Sequence, residues 1–106
     1  MATIKFKSFG SEQETFIQVT KYMNNRLALM FICTDYEPWG TMTVNIPDAD
    51  ITEEDEACID TNNWPDAEEI ISEYKLGEPT GKYARSGYCT YPIYKFDINT
   101  VMKYTE

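Results

Sequence analysis

Apolar and polar residues alternate along the first half of the chain with a period of two. Ile4, Phe6 and Ser8 alternate with Lys5 and Lys7, which predicts a half-buried strand closed by Gly10-Ser11. Phe16 to Met23 is rich in β-branched and aromatic residues, with Ile17 and Val19 on one face, and reads as a second strand. Asn24-Asn25 follows as a two-residue hairpin turn, because Asn tolerates positive φ. Arg26 to Thr34 is apolar on both faces, so it is predicted to be central. Pro38-Trp39-Gly40 reads as a turn. Met42, Val44 and Ile46 alternate with Thr41, Thr43 and Asn45 as a fourth strand that Pro47 ends.

The pattern changes after Pro47. Residues 48–56 show no period and read as a loop, followed by a short buried strand at Ala57-Cys58-Ile59. A helix is predicted over about 64–76. Asn62-Asn63 supplies the cap, Pro65 occupies the first turn, and Trp64, Ala67, Ile70, Ile71 and Tyr74 form one stripe. Gly77 is the expected C-terminal cap and Pro79 forbids continuation. Gly77, Gly81 and Gly87 make 77–87 a long loop. Tyr88 to Phe96 is a final strand whose Pro92 implies an edge or a bulge, and Asp97 caps a short helix with Ile98, Val101 and Met102. The sum is one α+β domain over 1–106: an antiparallel sheet of four to six strands with one main helix packed on it.

Charge changes this picture by concentrating it. The 106 residues carry 18 acids against 9 bases and no His, a net of -9. Residues 48–78 hold Asp48, Asp50, Glu53, Glu54, Asp55, Glu56, Asp60, Asp66, Glu68, Glu69, Glu73 and Glu78 against Lys75 alone. The flanks are neutral before and slightly basic after. Such a balance opposes direct binding to nucleic acid or anionic lipid and favours basic partners. On the helix, Asp66, Glu69 and Glu73 share the face opposite the apolar stripe.

Candidate chemistry is sparse. Without His there is no Ser-His, Cys-His or His-metal site. Ser86 and Cys89 therefore lack a base, and catalytic residues are predicted to be none. Cys33, Cys58 and Cys89 form no Cys-x-x-Cys pair and read as small buried hydrophobes of a reducing compartment. Asp48-x-Asp50 lacks the glycine and glutamate of a calcium loop, so neither a metal nor another cofactor is predicted. No signal peptide is read at the start, and the longest apolar run, Leu27–Cys33, is far short of a membrane span. The expected location is the cytoplasm. The loop Gly81 to Tyr88 offers Lys82, Arg85 and two tyrosines. It reads either as an anion contact or as a surface loop whose cations pair with the acidic segment of the same molecule.

The runs Ile59 to Pro65, Gly77-Glu78-Pro79-Thr80-Gly81 and Arg85 to Pro92, with Val44-Asn45-Ile46-Pro47 upstream, resemble a family of small uncharacterised proteins. These are carried on conjugative and related mobile elements of gut bacteria. No catalytic residue comes with the resemblance. What it implies is context, since mobile elements carry small, often acidic, inhibitors of host defence. The expected function is therefore an anti-CRISPR or antirestriction-type inhibitor. A row of carboxylates would mimic DNA and bind the basic surface of a host nucleic-acid-binding complex, the chain being a monomer or weak dimer. The predicted contact comprises Glu53, Glu54, Asp55, Glu56, Asp60, Asp66, Glu68, Glu69 and Glu73, bordered by Tyr83 and Arg85. The alternative is a non-catalytic assembly module, dimeric through exposed Tyr and an edge strand, whose acidity serves solubility alone.

Overall fold

The computed structural model describes residues 2–8 and 10–106. Eight strands and two short helices follow one another along them. They are β1 (Ile4–Ser8), β2 (Ser11–Lys21), β3 (Leu27–Cys33), β4 (Pro38–Thr41), β5 (Thr43–Val44), β6 (Glu56–Ile59), α1 (Ala67–Glu73), β7 (Gly77–Ser86), β8 (Cys89–Phe96) and α2 (Ile98–Met102). The strands form two antiparallel four-stranded sheets, ordered β1-β2-β3-β4 and β5-β6-β8-β7. This corrects the expected α+β arrangement. The protein is mostly sheet, and its larger helix has only seven residues.

The correction has three local causes. The first lies at Met42. The alternation over 41–46 is continuous, yet the chain leaves one sheet and enters the other inside it. Met42 donates its N–H to the Leu29 carbonyl (2.9 Å) in the first sheet and accepts from the Asp60 N–H (2.9 Å) beside the second. Its side chain is fully buried. The Pro38-Trp39-Gly40 turn is in fact β4, joined to β3 across a bulge at Phe31/Ile32.

The second cause shortens the helix. Asp60 accepts from the Asn63 backbone N–H (3.3 Å) and Nδ2 (2.9 Å), and Trp64 N–H reaches the Asp60 carbonyl (2.9 Å). That turn holds 60–64 out of helical register, so α1 starts at Ala67 with Asp66 as its N-cap residue. At the other end Lys75, not Gly77, adopts the left-handed conformation (φ 55°). Leu76 N–H bonds the Ile71 carbonyl (2.9 Å) and Lys75 N–H the Ser72 carbonyl (3.3 Å), a Schellman closure with Leu76 and Ile71 both buried.

The third cause turns the predicted 77–87 loop into β7. Gly77 is needed there for contact: a Cβ would strike the Lys95 carbonyl and lie 2.9 Å from Phe96 Cα. Gly81 (φ 84°) sits in a bulge between Pro79 and Tyr83. Across that gap Thr80 Oγ1 donates to the Ile93 carbonyl (2.8 Å) and accepts from Lys82 N–H (3.1 Å). β8 is consequently central, and Pro92 is tolerated because the β6 ladder ends one residue away at Cys58↔Ile93. The inward faces of both sheets share one core, which includes Ile4, Ile17, Leu29, Phe31, Ile59 and Phe96. Ala67, Ile70 and Ile71 of α1 and Val101 of α2 close it, and the Asp97 carboxylate caps α2 through Thr100 N–H (3.2 Å), as the sequence predicts.

Candidate functional site

The acidic block of the sequence divides into two structures. The first is the segment 46–56, which lies over the outer face of the second sheet. Ile46, Ala49 and Ile51 pack there with Cys58, Ala84, Tyr91 and Ile93 in a second, smaller apolar cluster. Arg26, immediately before β3, reaches across from the other sheet and donates to the carbonyls of Ile46 (2.7 Å), Pro47 (3.1 Å) and Ala49 (3.2 Å). Lys82 of β7 donates to the Asp50 carbonyl (2.9 Å) and lies 3.8 Å from its carboxylate. The segment is thus a strap held by two cations.

Four of its six carboxylates, those of Asp50, Glu54, Asp55 and Glu56, meet a lysine, while Asp48 and Glu53 have no ion pair among the described residues. Glu56 is buried, with Oε1 3.9 Å from Lys82 Nζ and no hydrogen-bond donor. Asp55 pairs with Lys95 (3.4 Å) and Glu54 with Lys21 (3.8 Å). Glu53 is exposed. Asp60 is half-buried and held by Asn63. The expected contact surface therefore loses Glu56 to the interior and Asp60 to a turn. Of the two loop cations, Lys82 pairs with the acidic segment; Arg85 is exposed and has no ion pair among the described residues.

The second structure is α1. Its apolar stripe turns Ala67, Ile70 and Ile71 into the core. Asp66, Glu68, Glu69 and Glu73 are consequently exposed, and among the described residues no cation lies within ion-pairing distance of any of them. Glu68 accepts a hydrogen bond from Tyr94 Oη (2.8 Å). Burial, then the bond to Glu68, pushes the Tyr94 phenol up to about 12. Tyr83 is exposed on β7, the edge strand of the second sheet.

A groove of about 720 Å³ adjoins the start of α1, lined by Lys7, Trp39, Asp60, Trp64 and Asp66 among others. Trp39 and Trp64 are the two tryptophans of the chain. They stand 6.3 Å apart at 64°, braced by Phe6 (5.4 Å to Trp39, 5.3 Å to Trp64) and by Phe31 (5.0 Å to Trp64). The sequence pattern predicts Trp64 on the core stripe and Trp39 in a turn. The available signal was that both are half-exposable aromatics set against proline, as Pro38-Trp39 and Trp64-Pro65. A larger depression of about 1060 Å³ runs between the end of α1 and the start of α2, lined by charges of both signs.

Burial pushes the Cys33 and Cys58 thiols up, and the three cysteines are unpaired. Among the described residues no three potential metal ligands gather, and no helix is long and apolar enough to cross a membrane.

Fold and surface together define a small two-sheet β domain with an exposed acidic helix that meets no ion-pairing cation among the described residues. The chain belongs to the family described as a domain of unknown function, DUF4313, whose profile matches residues 16–106. The resemblance to an uncharacterised family is borne out over a longer stretch than the motifs that suggested it. No curated protein and no solved structure matches the chain.

Proposed function

We propose that this domain is a non-enzymatic binding module that docks a basic protein surface through the acidic face of α1. In this reading it acts in the cytoplasm as an inhibitor of a host nucleic-acid-binding complex, of anti-CRISPR or antirestriction type. The observation that carries it is the exposed face Asp66, Glu69 and Glu73, with Glu68 beside it bonded to Tyr94, none of them within ion-pairing distance of a cation among the described residues. Charges left unneutralised on one face attract and orient a complementary surface. The resemblance to mobile-element proteins supports the choice of partner, and three unpaired thiols fit a reducing compartment.

The geometry narrows the mimicry. Asp66 to Glu73 spans roughly 10 Å of helix at about 1.5 Å per residue. That matches the axial rise of roughly three nucleotides of one strand, at about 3.4 Å each. The imitation is of a few phosphates, not of a long duplex.

The test compares wild type with the Glu69→Lys/Glu73→Lys variant as bait in host lysate, followed by DNA-binding anisotropy of whatever protein is captured. Wild type is expected to retain a basic partner at about 0.1 M salt, to release it near 1 M, and to lower its DNA affinity. The variant is expected to do none of these. Capture that survives the reversal would refute the electrostatic reading. A salt-resistant dimer with no partner would favour the assembly-module alternative, for which the edge strand β7 with exposed Tyr83 is the available surface.

A further inference from the structure

The tryptophan groove and the acidic helix face share a residue. Asp66 is the N-cap of α1 and also part of the groove wall. We infer that the groove seats one cationic side chain, arginine or lysine, projecting from the basic partner. The inference rests on the proposed function for the source of that cation, and on the groove's own geometry for its capture.

Three observations support it. First, the rings are immobilised before any ligand arrives. Trp64 is edge-on to Phe31 and tilted on Phe6, while Trp39 is edge-on to Phe6. Rings already held in place lose little freedom on binding, and indole is the best aromatic surface for a cation. Second, the charges favour a cation. The lining includes Asp60 and Asp66 against Lys7, and Glu69 follows Asp66 at the next turn of the exposed helix face. Asp60 is fixed by its two bonds from Asn63, whereas Asp66 makes no capping hydrogen bond, so its carboxylate is free to pair. Third, the lining includes a residue with no side chain. At Gly40, also in the lining, an added Cβ would meet nothing within 4 Å.

Because both tryptophans line the groove, their emission reports on it directly. The probes are the capped peptide Gly-Arg-Arg-Gly, its citrulline counterpart, which keeps shape and loses charge, and a neutral oligosaccharide. The arginine peptide is expected to change Trp emission saturably, and the citrulline peptide to bind at least about tenfold more weakly. Asp66→Asn should weaken the arginine peptide by about twofold to fivefold, the size of one partly exposed charge contact. Glu78→Lys, exposed beyond the far end of α1 and outside both proposed contacts, should change it by less than about twofold. Equal binding of the citrulline peptide, preference for the oligosaccharide, or no saturable change would each overturn the inference. The two proposals fail separately. Capture lost on Glu69→Lys/Glu73→Lys, with Trp emission indifferent to the arginine peptide, leaves the helix face standing and removes the groove. Saturable peptide binding with capture indifferent to the reversal does the opposite.

Discussion

The strap 46–56 and helix α1 draw their acids from the same stretch of sequence, and the fold puts them to opposite uses. The strap contributes Asp50, Glu54, Asp55 and Glu56 to lysines from three different strands, Lys82, Lys21 and Lys95. Its backbone carbonyls hold Arg26. The helix contributes four carboxylates to solvent and receives no cation in return among the described residues. A net charge counted along a chain therefore says little about the charge a partner meets. What decides is whether the backbone bearing it is itself packed. Ile46, Ala49 and Ile51 bury the strap, and that burial brings its carboxylates within reach of the protein's own bases.

The sharpest way to break this contrast is Arg26→Ala. Hydrogen bonds to a charged donor are worth roughly 1.5–3 kcal/mol each when buried, but these carbonyls are partly open to water. A loss of about 2–3 kcal/mol in denaturant unfolding is expected, with new protease cleavage in 46–51. A change below about 0.5 kcal/mol would show that the strap is not structural. Lys82→Met should cost less, about 1–2 kcal/mol. It strands the buried Glu56 carboxylate, but Lys82 is itself 39% exposed and the pair is long at 3.9 Å. Most of that loss should return in Lys82→Met/Glu56→Gln, since the cost lies in the unpaired charge.

Tyr94→Phe tests the joint between the helix and the sheet and should cost about 1 kcal/mol, the value of one part-buried hydrogen bond. It also has a pH signature. Folding favours the neutral phenol, raising it from 10.0 to about 12. That stabilisation is complete below pH 10 and is lost as pH rises through about 12. Alkaline unfolding curves of wild type and Tyr94→Phe should therefore converge across that window. The smallest stability effect belongs to Glu69→Lys/Glu73→Lys, within about 0.5 kcal/mol of wild type, because neither carboxylate has an internal partner. A large destabilisation there would mean that the helix charges are structural too, and the contrast would collapse.

The sequence was most legible where period-two alternation and local turn chemistry agreed. β1 and β3 lie close to where Ile4–Ser8 and Arg26–Thr34 predict them, and α2 is capped by Asp97, while β2 begins at Ser11, five residues before the predicted Phe16, and ends at Lys21. The hairpin after β2 is one residue longer than expected, with Tyr22 N–H bonded to the Arg26 carbonyl and Asn25 at φ 67°. Legibility failed where a side chain replaced the backbone as partner. Thr80 bridges the β7 bulge, so Gly81 and Pro79, ordinarily loop signals, sit inside a strand. The Asp60 carboxylate organises the turn that takes Trp64 out of the helix. The sheet change at Met42 left no trace, because both halves of 41–46 keep the same alternation. The acidic block could be located by counting, but its division into strap and helix depends on Arg26 and Lys82, which are remote in sequence.

Met42 gives one rung to each sheet, and this has a consequence for how the domain opens. The amide of Met42 is protected only while the first sheet holds Leu29, and the amide of Asp60 only while the Met42 carbonyl stays in place beside the second. Neither sheet can separate as an independent cooperative unit without disturbing a rung of the other. Hydrogen exchange at these two amides should therefore report a single opening free energy, and the eight strands should behave as one foldon despite being laid out as two sheets.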